Sequence, residues 1–384
     1  MDKKIGVFSF FAGAGFLDLG FEQAGAYEIL FVNEFHKPFV DIYINSRKKM
    51  QINLPLLGVE NEDITTYITS TKINWFKNHI ETLRNNFRLI GFIGGPPCPD
   101  FSIGGKNRGH NGENGKLSGT YVELISKTKP DFFVFENVKG LYRTAKHRQF
   151  FDMMKSKLKR NGYALTEKLI NAIEYGAPQD RERIILIGFR KEILKDAHVS
   201  IKKGSIISNF NWDSHTEYDA ENIFSLNWAI TDRFRPDSEL EFLNNVPNEL
   251  TVEFWFRKND VENHPNANHH FTPRAGLKRF EEVDEGDDSK KSFKRLHRWR
   301  YSPTAAYGNN EVHLHPYKAR RISASEALAI QTLPKEFIIP EYISLSNMFK
   351  AIGNGVPFLA AKGLASTIIE FINNHELHFK SNNK

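Results

Sequence analysis

The sole cysteine of this 384-residue chain, Cys98, stands in Gly94-Gly95-Pro96-Pro97-Cys98-Pro99, directly after an apolar run that reads as a strand. Most cysteines are small buried hydrophobes, and a thiolate is a nucleophile only in an open polar setting. Prolines on both sides fix the backbone around this thiol, and Asp100, Lys106 and Arg108 follow closely, which suggests an open polar site rather than a buried apolar one. Glu136 ends a second apolar strand in Phe135-Glu136-Asn137-Val138, where a carboxylate is costly unless it is paired or functional. In Gln179-Asp180-Arg181-Glu182-Arg183 two arginines share one side of a beginning strand, an arrangement that is commonly structural and serves to hold carboxylates.

A different chemistry belongs to Phe11-Ala12-Gly13-Ala14-Gly15-Phe16-Leu17-Asp18. Glycines between a strand and a helix let the backbone turn tightly and approach a ligand, and the helix start offers free N–H groups. A dinucleotide fingerprint needs a third glycine where Asp18 stands, which disfavours nicotinamide and flavin enzymes. Glu34, at the end of the second strand, is placed to grip ribose hydroxyls. The glycine-rich run from Ile103 to Gly115 is either a slack connection or a lid. Gly353-Asn354-Gly355-Val356 reads as a turn that opens the last helix.

The elements that must hold these residues alternate strand and helix. Strands are expected at Lys4 to Phe10, Glu28 to Asn33, Arg88 to Ile93, Asp131 to Phe135 and Arg183 to Phe189. Helices are expected at Pro38 to Lys49, Ile73 to Asn85, Tyr121 to Lys127, His147 to Asn161, Ser323 to Gln331 and Val356 to Asn374. This pattern predicts an α/β fold with a doubly wound, mostly parallel sheet. Hydrophobic residues at 40% suffice for a large core. One cysteine excludes a disulfide scaffold, a thiolate zinc site and an iron–sulfur cluster. No apolar run approaches the roughly 18 residues of a membrane span. The charged and apolar start imitates a signal peptide, but its paired glycines and Asp18 argue for a cytoplasmic protein. Beyond Arg190 the signals turn short and irregular, which suggests a separate domain or large insertion. Six acids in the eight residues from Glu281 to Asp288 precede six Lys or Arg between Ser289 and Arg300. These runs are either solvated faces or, in the basic half, a phosphate-contacting strip beside Trp299.

In this order the clusters resemble the DNA (cytosine-5) methyltransferases, particularly those of bacterial restriction–modification systems. The likeness rests on Phe11 to Gly15, Pro97-Cys98, Glu136-Asn137-Val138, Gln179 to Arg183, Arg321 with Glu326, Gln331 to Pro334, and Gly353 to Pro357. It implies a Rossmann-like S-adenosylmethionine domain over 1–190, a smaller DNA-recognition domain over 191–337, and a segment over 338–384 that completes the catalytic domain. The final helix would pack back beside the first strand. The target cytosine would be flipped out of duplex DNA. Cys98 would add to C6, Glu136 would protonate or hydrogen-bond N3, Arg183 would hold the O2 side, and Arg181 would support the carboxylate or thiol, with no metal needed. Phe11, Ala12, Gly13, Ala14, Gly15, Phe16 and Leu17 would surround the donor, with Glu34 on its ribose. Asp63 and Ile64 would lie at its adenine, Pro96 near the sulfonium, Tyr121 close by, and Asn354 with Gly355 would close the pocket. DNA contacts are expected from Ser102, Arg274, Lys278, Arg279, Arg295 and Arg298. The likeness further implies a monomer and the company of a cognate restriction endonuclease. Pro99 stands where the family usually has Gln. The alternatives are a tRNA cytosine-5 methyltransferase of the same fold and a catalytically inactive DNA-binding relative.

Overall fold

A computed structural model describes residues 3–97, 113–242, 245–272, 277–290, 292–305, 307 and 311–379. Its sheet is built from β1 (Ile5–Phe10), β2 (Tyr27–Asn33), β3 (Val59–Glu60), β4 (Ile90–Gly94), β5 (Phe132–Val138), β6 (Tyr163–Asn171), β7 (Glu182–Arg190), β8 (Ile201–Lys202) and β9 (Ile206–Ile207). Helices α1 (Phe16–Gln23), α2 (Lys37–Lys49), α3 (Ser70–Leu83), α4 (Glu113–Thr128), α5 (Gly140–Arg143), α6 (Ala145–Arg160) and α7 (Lys191–Asp196) connect the strands. The irregular stretch holds α8 (Ala220–Ser225), α9 (Val252–Lys258) and α10 (Leu277–Glu282), and α11 (Ala324–Ile330), α12 (Leu345–Asn354) and α13 (Phe358–Asn374) follow.

The strand order is β3-β2-β1-β4-β5-β7-β6-β9-β8. β1 pairs in parallel with both β2 and β4, and β5 continues the parallel set. The chain therefore leaves β1 on one side and returns on the other, which opens a crevice beyond the carboxyl ends of β1 and β4. β7 then runs antiparallel between β5 and β6. In β1, Ile5 and Val7 pack with Leu17 and Phe21 of α1 and with Leu364 and Ile368 of α13. Phe8 and Phe10 face the other way, toward Phe76 of α3, Tyr121 of α4 and Phe151 of α6. With both faces covered, the parallel strands read as unbroken apolar runs.

Three elements differ from expectation. β6, Tyr-Ala-Leu-Thr-Glu-Lys-Leu-Ile-Asn, carries a half-exposed polar middle that hides it in the sequence. The turn at Gly353 to Gly355 ends α12, and the last helix starts at Phe358, because Pro357 permits only an extended residue before it. The catalytic sheet does not stop at Arg190: β8 and β9 extend it, and Phe210 and Trp212 pack with Phe371 of α13. Likewise Ala327 and Leu328 of α11 share a core with Phe16, Leu19 and Phe39, and also with Val252 and Trp255 of the irregular stretch. The most apolar stretch among the described residues, 345–374, is two helices broken at Gly355 to Pro357 and is largely buried.

At the amino edge of the sheet Arg88 joins distant parts of the chain. Its N–H donates to Lys4 O (2.8 Å), its carbonyl accepts from Phe379 N (3.4 Å), and its guanidinium donates to Leu377 O (2.7 Å) and Asn373 Oδ1 (2.6 Å).

Candidate active site

The crevice beyond β1 is lined by the glycine turn. Phe11, Gly13 and Gly15 all take positive φ (54°, 59° and 86°), which is easy only for glycine and explains why two of the three positions hold one. A Cβ on Gly13 would meet nothing within 4 Å, so the backbone there faces open space. Across it stands Glu34, whose carboxylate accepts from Gly13 N–H (2.8 Å) and His36 N–H (2.7 Å). Burial raises its pKa above the usual carboxylate value, against the pull of those two N–H groups. Beside it the Phe35 ring is 71% exposed, a feature absent from the sequence expectations. Asn61 Nδ2 holds the carbonyls of both Glu34 (2.9 Å) and Phe35 (2.7 Å). An oriented carboxylate, an open glycine backbone and an exposed aromatic face are the donor set that a nucleoside with a hydroxylated ribose requires.

Other expected pocket residues lie differently. Tyr121 is fully buried, its hydroxyl donates to Val134 O (3.2 Å), and its ring meets Phe11 edge-on at 6.0 Å, so it supports Phe11 from beneath the pocket. Ala14, Phe16 and Leu17 are likewise buried, and Phe16 packs on Phe337 at 5.2 Å. A Cβ on Gly355 would fall 2.1 Å from the Phe16 ring, which brings the far end of the chain against the first turn. Ile64 is a core residue, and Asp63 caps the 3₁₀ turn that follows it by accepting from Thr65 N–H (2.8 Å). Asn354 is exposed beside Gly355, and Ala12 is half-buried.

The second half of the crevice belongs to β4, β5 and β7. Glu136 is buried and its Oε1 meets Arg183 Nε at 2.9 Å. Burial raises the Glu136 pKa and outweighs the lowering by Arg183 and Arg181. The chain leaving β4 runs along this carboxyl: a Cβ on Gly95 would lie 2.6 Å from Glu136 Oε2, and Pro96 O accepts from Asn137 Nδ2 (3.3 Å). Glycine at 95 is thus required by close approach, and the segment that enters Cys98 is tied to the Glu-Asn pair. Cys98 itself, Pro99, Ser102 and Arg274 lie outside the described residues, as does the side chain of Arg279.

Arg181 acts on Glu136 through its charge and makes its hydrogen bonds elsewhere. It is fully buried, and its guanidinium donates to the carbonyls of Ala305 (2.9 Å), Gly353 (2.7 Å) and Gly355 (3.0 Å) and to Gln179 Oε1 (3.4 Å). Gln179 also accepts from Ala305 N–H (3.2 Å), and Gln331 Nε2 donates to Ile352 O (2.6 Å). The planar fork of Arg joins the Ala305 segment to the Gly353–Gly355 turn, while of the two arginines Arg183 contacts Glu136 directly.

The expected DNA contacts need a correction. Arg295 is 1% exposed and donates to the carbonyls of Val283, Phe280, His315 and Lys318. Arg298 is 4% exposed and pairs twice with Glu285 (2.8 and 2.9 Å). The acidic run therefore supplies an internal partner for the basic one, and neither arginine can reach a phosphate. Lys278 does remain exposed, 3.9 Å from Glu282. Glu326 pairs with Arg320 (2.7 and 2.9 Å), while Arg321 lies over the rings of Phe271 and Phe293. Arg298→Ala is expected to destabilise the fold by about 3–5 kcal/mol, because Glu285 is left buried and uncompensated. Urea denaturation checks this, and an unchanged salt slope of DNA binding would accompany it.

A switch-point crevice with this order of side chains defines a class. The profile of the C-5 cytosine-specific DNA methylase family matches residues 5–370, and the chain belongs to that family. It is 56% identical over 374 residues to the Type II methyltransferase M.NmeDI of Neisseria meningitidis serogroup C, covering 97% of this chain and 85% of that one. To the Type II methyltransferase M.FnuDI of Fusobacterium nucleatum it is 28% identical, over 96% of this chain and 95% of the relative. The fold matches the Entamoeba histolytica methyltransferase EhMeth at a TM-score of 0.59 and 15% identity, over 97% of this chain and 99% of that one. The chain is a DNA (cytosine-5) methyltransferase of the restriction–modification kind, its methyl donor is S-adenosylmethionine, and its partner is double-stranded DNA.

Proposed function

We propose that Cys98 attacks C6 of a cytosine rotated out of the duplex, that Glu136 gives its proton to N3, and that Arg183 holds both Glu136 and the O2 edge of the base. The observation that carries this reading is the Glu136 carboxyl, buried, paired with Arg183 at 2.9 Å and in contact with the strand exit that leads into Cys98. Addition of the thiolate to C6 moves electron density onto C5, and the proton held by Glu136 relieves the charge that builds on N3. S-adenosylmethionine, when bound, supplies the electrophilic methyl that C5 takes up. Loss of the C5 proton to water then re-forms the C5–C6 double bond and expels the Cys98 thiolate, and the proton on N3 returns to Glu136, which restores the ring.

For the donor, Gly13 and Gly15 would offer backbone, Glu34 the acceptors for the ribose hydroxyls, and the exposed Phe35 ring a face for the adenine. Pro96 would border the sulfonium, and the Gly355 turn would close the pocket against Phe16. Residues from about 214 to 322 would read DNA, and Lys278, Lys290 and Lys294 are its candidate phosphate contacts. The protein would act as a monomer in the cytoplasm, beside an endonuclease of the same recognition site. The description of the Neisseria and Fusobacterium relatives as Type II methyltransferases supports this last point.

Transfer of labelled methyl to unmethylated duplex DNA and, in parallel, to tRNA tests the reading. Label is expected in 5-methyldeoxycytidine. Label confined to RNA would replace the substrate, and a Cys98→Ala protein as active as the parent would remove the thiol from the mechanism.

A further inference from the structure

Beneath the glycine turn lies a buried polar chain that the reaction does not use. Asp18, in the first turn of α1, is fully buried, and its Oδ1 accepts from Ser9 Oγ (2.6 Å) and its Oδ2 from Tyr43 OH (3.1 Å). The Tyr43 ring presses on the turn from below: a Cβ on Gly15 would fall 2.6 Å from it. Arg47 reaches the Tyr43 hydroxyl (3.3 Å) and pairs with Glu22 (2.7 and 2.8 Å), which returns the chain to α1. Among the described residues Asp18 has hydroxyl partners but no cation in direct contact. A carboxylate so placed is costly unless it does something that a neutral side chain could not.

We propose that Asp18 is a positioning residue for the methyl donor, fixing the end of β1 through Ser9 and the underside of Gly15 through Tyr43, so that the turn bearing Gly13 stands at the height the donor needs. This rests on the reading of Gly13 to Gly15 as the donor turn. The two hydroxyls, one on each oxygen, hold Asp18 best while it is ionised, since protonation turns one of those oxygens into a donor and a weaker acceptor. The groups whose fields reach it are Ser9 of β1, Glu22 of α1, and Tyr43 and Arg47 of α2. Burial, aided by Glu22, pushes its carboxyl up to about 6 against Ser9, Arg47 and Tyr43. The carboxylate is therefore present above that pH and lost as pH falls through it, and its hold on the Tyr43 hydroxyl beneath Gly15 then weakens.

The test is the Kd for S-adenosylmethionine, measured by calorimetry between pH 5 and 8 on the full chain and on Asp18→Asn, Tyr43→Phe and Gly13→Val. The unsubstituted protein is expected to lose affinity as pH falls through about 6. Asp18→Asn should bind about ten-fold more weakly at neutral pH, with the loss of affinity near pH 6 reduced to the part that the raised Glu34 carboxyl contributes, and with unchanged kcat at saturating donor. Tyr43→Phe should weaken binding in the same direction. Unchanged Kd and profile in Asp18→Asn would overturn the proposal, and if that variant does not fold, unchanged Kd in Tyr43→Phe decides against it. Gly13→Val fills the open space, so normal binding there would overturn the donor-turn reading itself. Loss of binding in Gly13→Val alone would reject only the coupling through Asp18.

Discussion

Glu136→Gln protein is expected to bind duplex DNA as the unsubstituted protein does and to transfer methyl at least about a hundred-fold more slowly, because the amide has no proton to give to N3. Gln keeps the shape and can still accept from Arg183 Nε, which now meets Glu136 Oε1 at 2.9 Å, so the packing against Gly95 should survive. The sign of the pH dependence follows from burial. Glu136 is raised above the usual carboxylate value, so it keeps its proton at a pH where an exposed glutamate has lost it. The single-turnover rate should fall as pH rises through that raised value, and this limb should be missing in Glu136→Gln. A variant that retains both the rate and the falling limb would remove Glu136 from the chemistry.

Arg181→Ala should unfold first and lose activity as a consequence. The substitution strips donors from the carbonyls of Ala305, Gly353 and Gly355 in a fully buried place. Unmet buried acceptors and the lost fork together predict a cost of about 3–5 kcal/mol. The urea midpoint should drop with little change in slope, and donor affinity should drop with it, since Gly355 packs on Phe16. Arg181→Lys should recover only part of the loss, because one ammonium cannot span three carbonyls on two segments as a planar fork does. An Arg181→Ala protein of normal stability and no activity would instead return this residue to the support of the catalytic carboxylate or thiol.

Why some of this was legible in the sequence and some was not comes down to where the partner of each group stands. β1, β2, β4, β5 and β7 were visible because covered faces demand unbroken apolar runs, as in Ile5 to Phe10. β6 was not, because Thr166, Glu167 and Lys168 sit half-exposed in its middle. Gly13, Gly15, Glu34 and Glu136 could be picked out because a glycine turn or an acid at a strand end is costly without a reason. Arg295 and Arg298 misled because a sequence displays a charge and not what satisfies it: backbone carbonyls for one, and Glu285, thirteen residues away, for the other. Asp18 was read only as a missing glycine, since its hydroxyl partners, Ser9 and Tyr43, come from separate elements. Phe35 escaped because exposure of a ring leaves no mark on the chain.

The two hydrogen bonds at Arg88 carry a topological meaning. Lys4 and Phe379 are held on the same residue, at the edge of the sheet away from the crevice. The path from the glycine turn through Glu136 and Arg183 to Gly355 is therefore a nearly closed ring, and Gly355 meets Phe16 although hundreds of positions separate them along the chain. The order of motifs records where that ring is cut. A circular permutant joined across Arg88 and opened at the exposed β8–β9 hairpin would thread the same side chains into the same crevice.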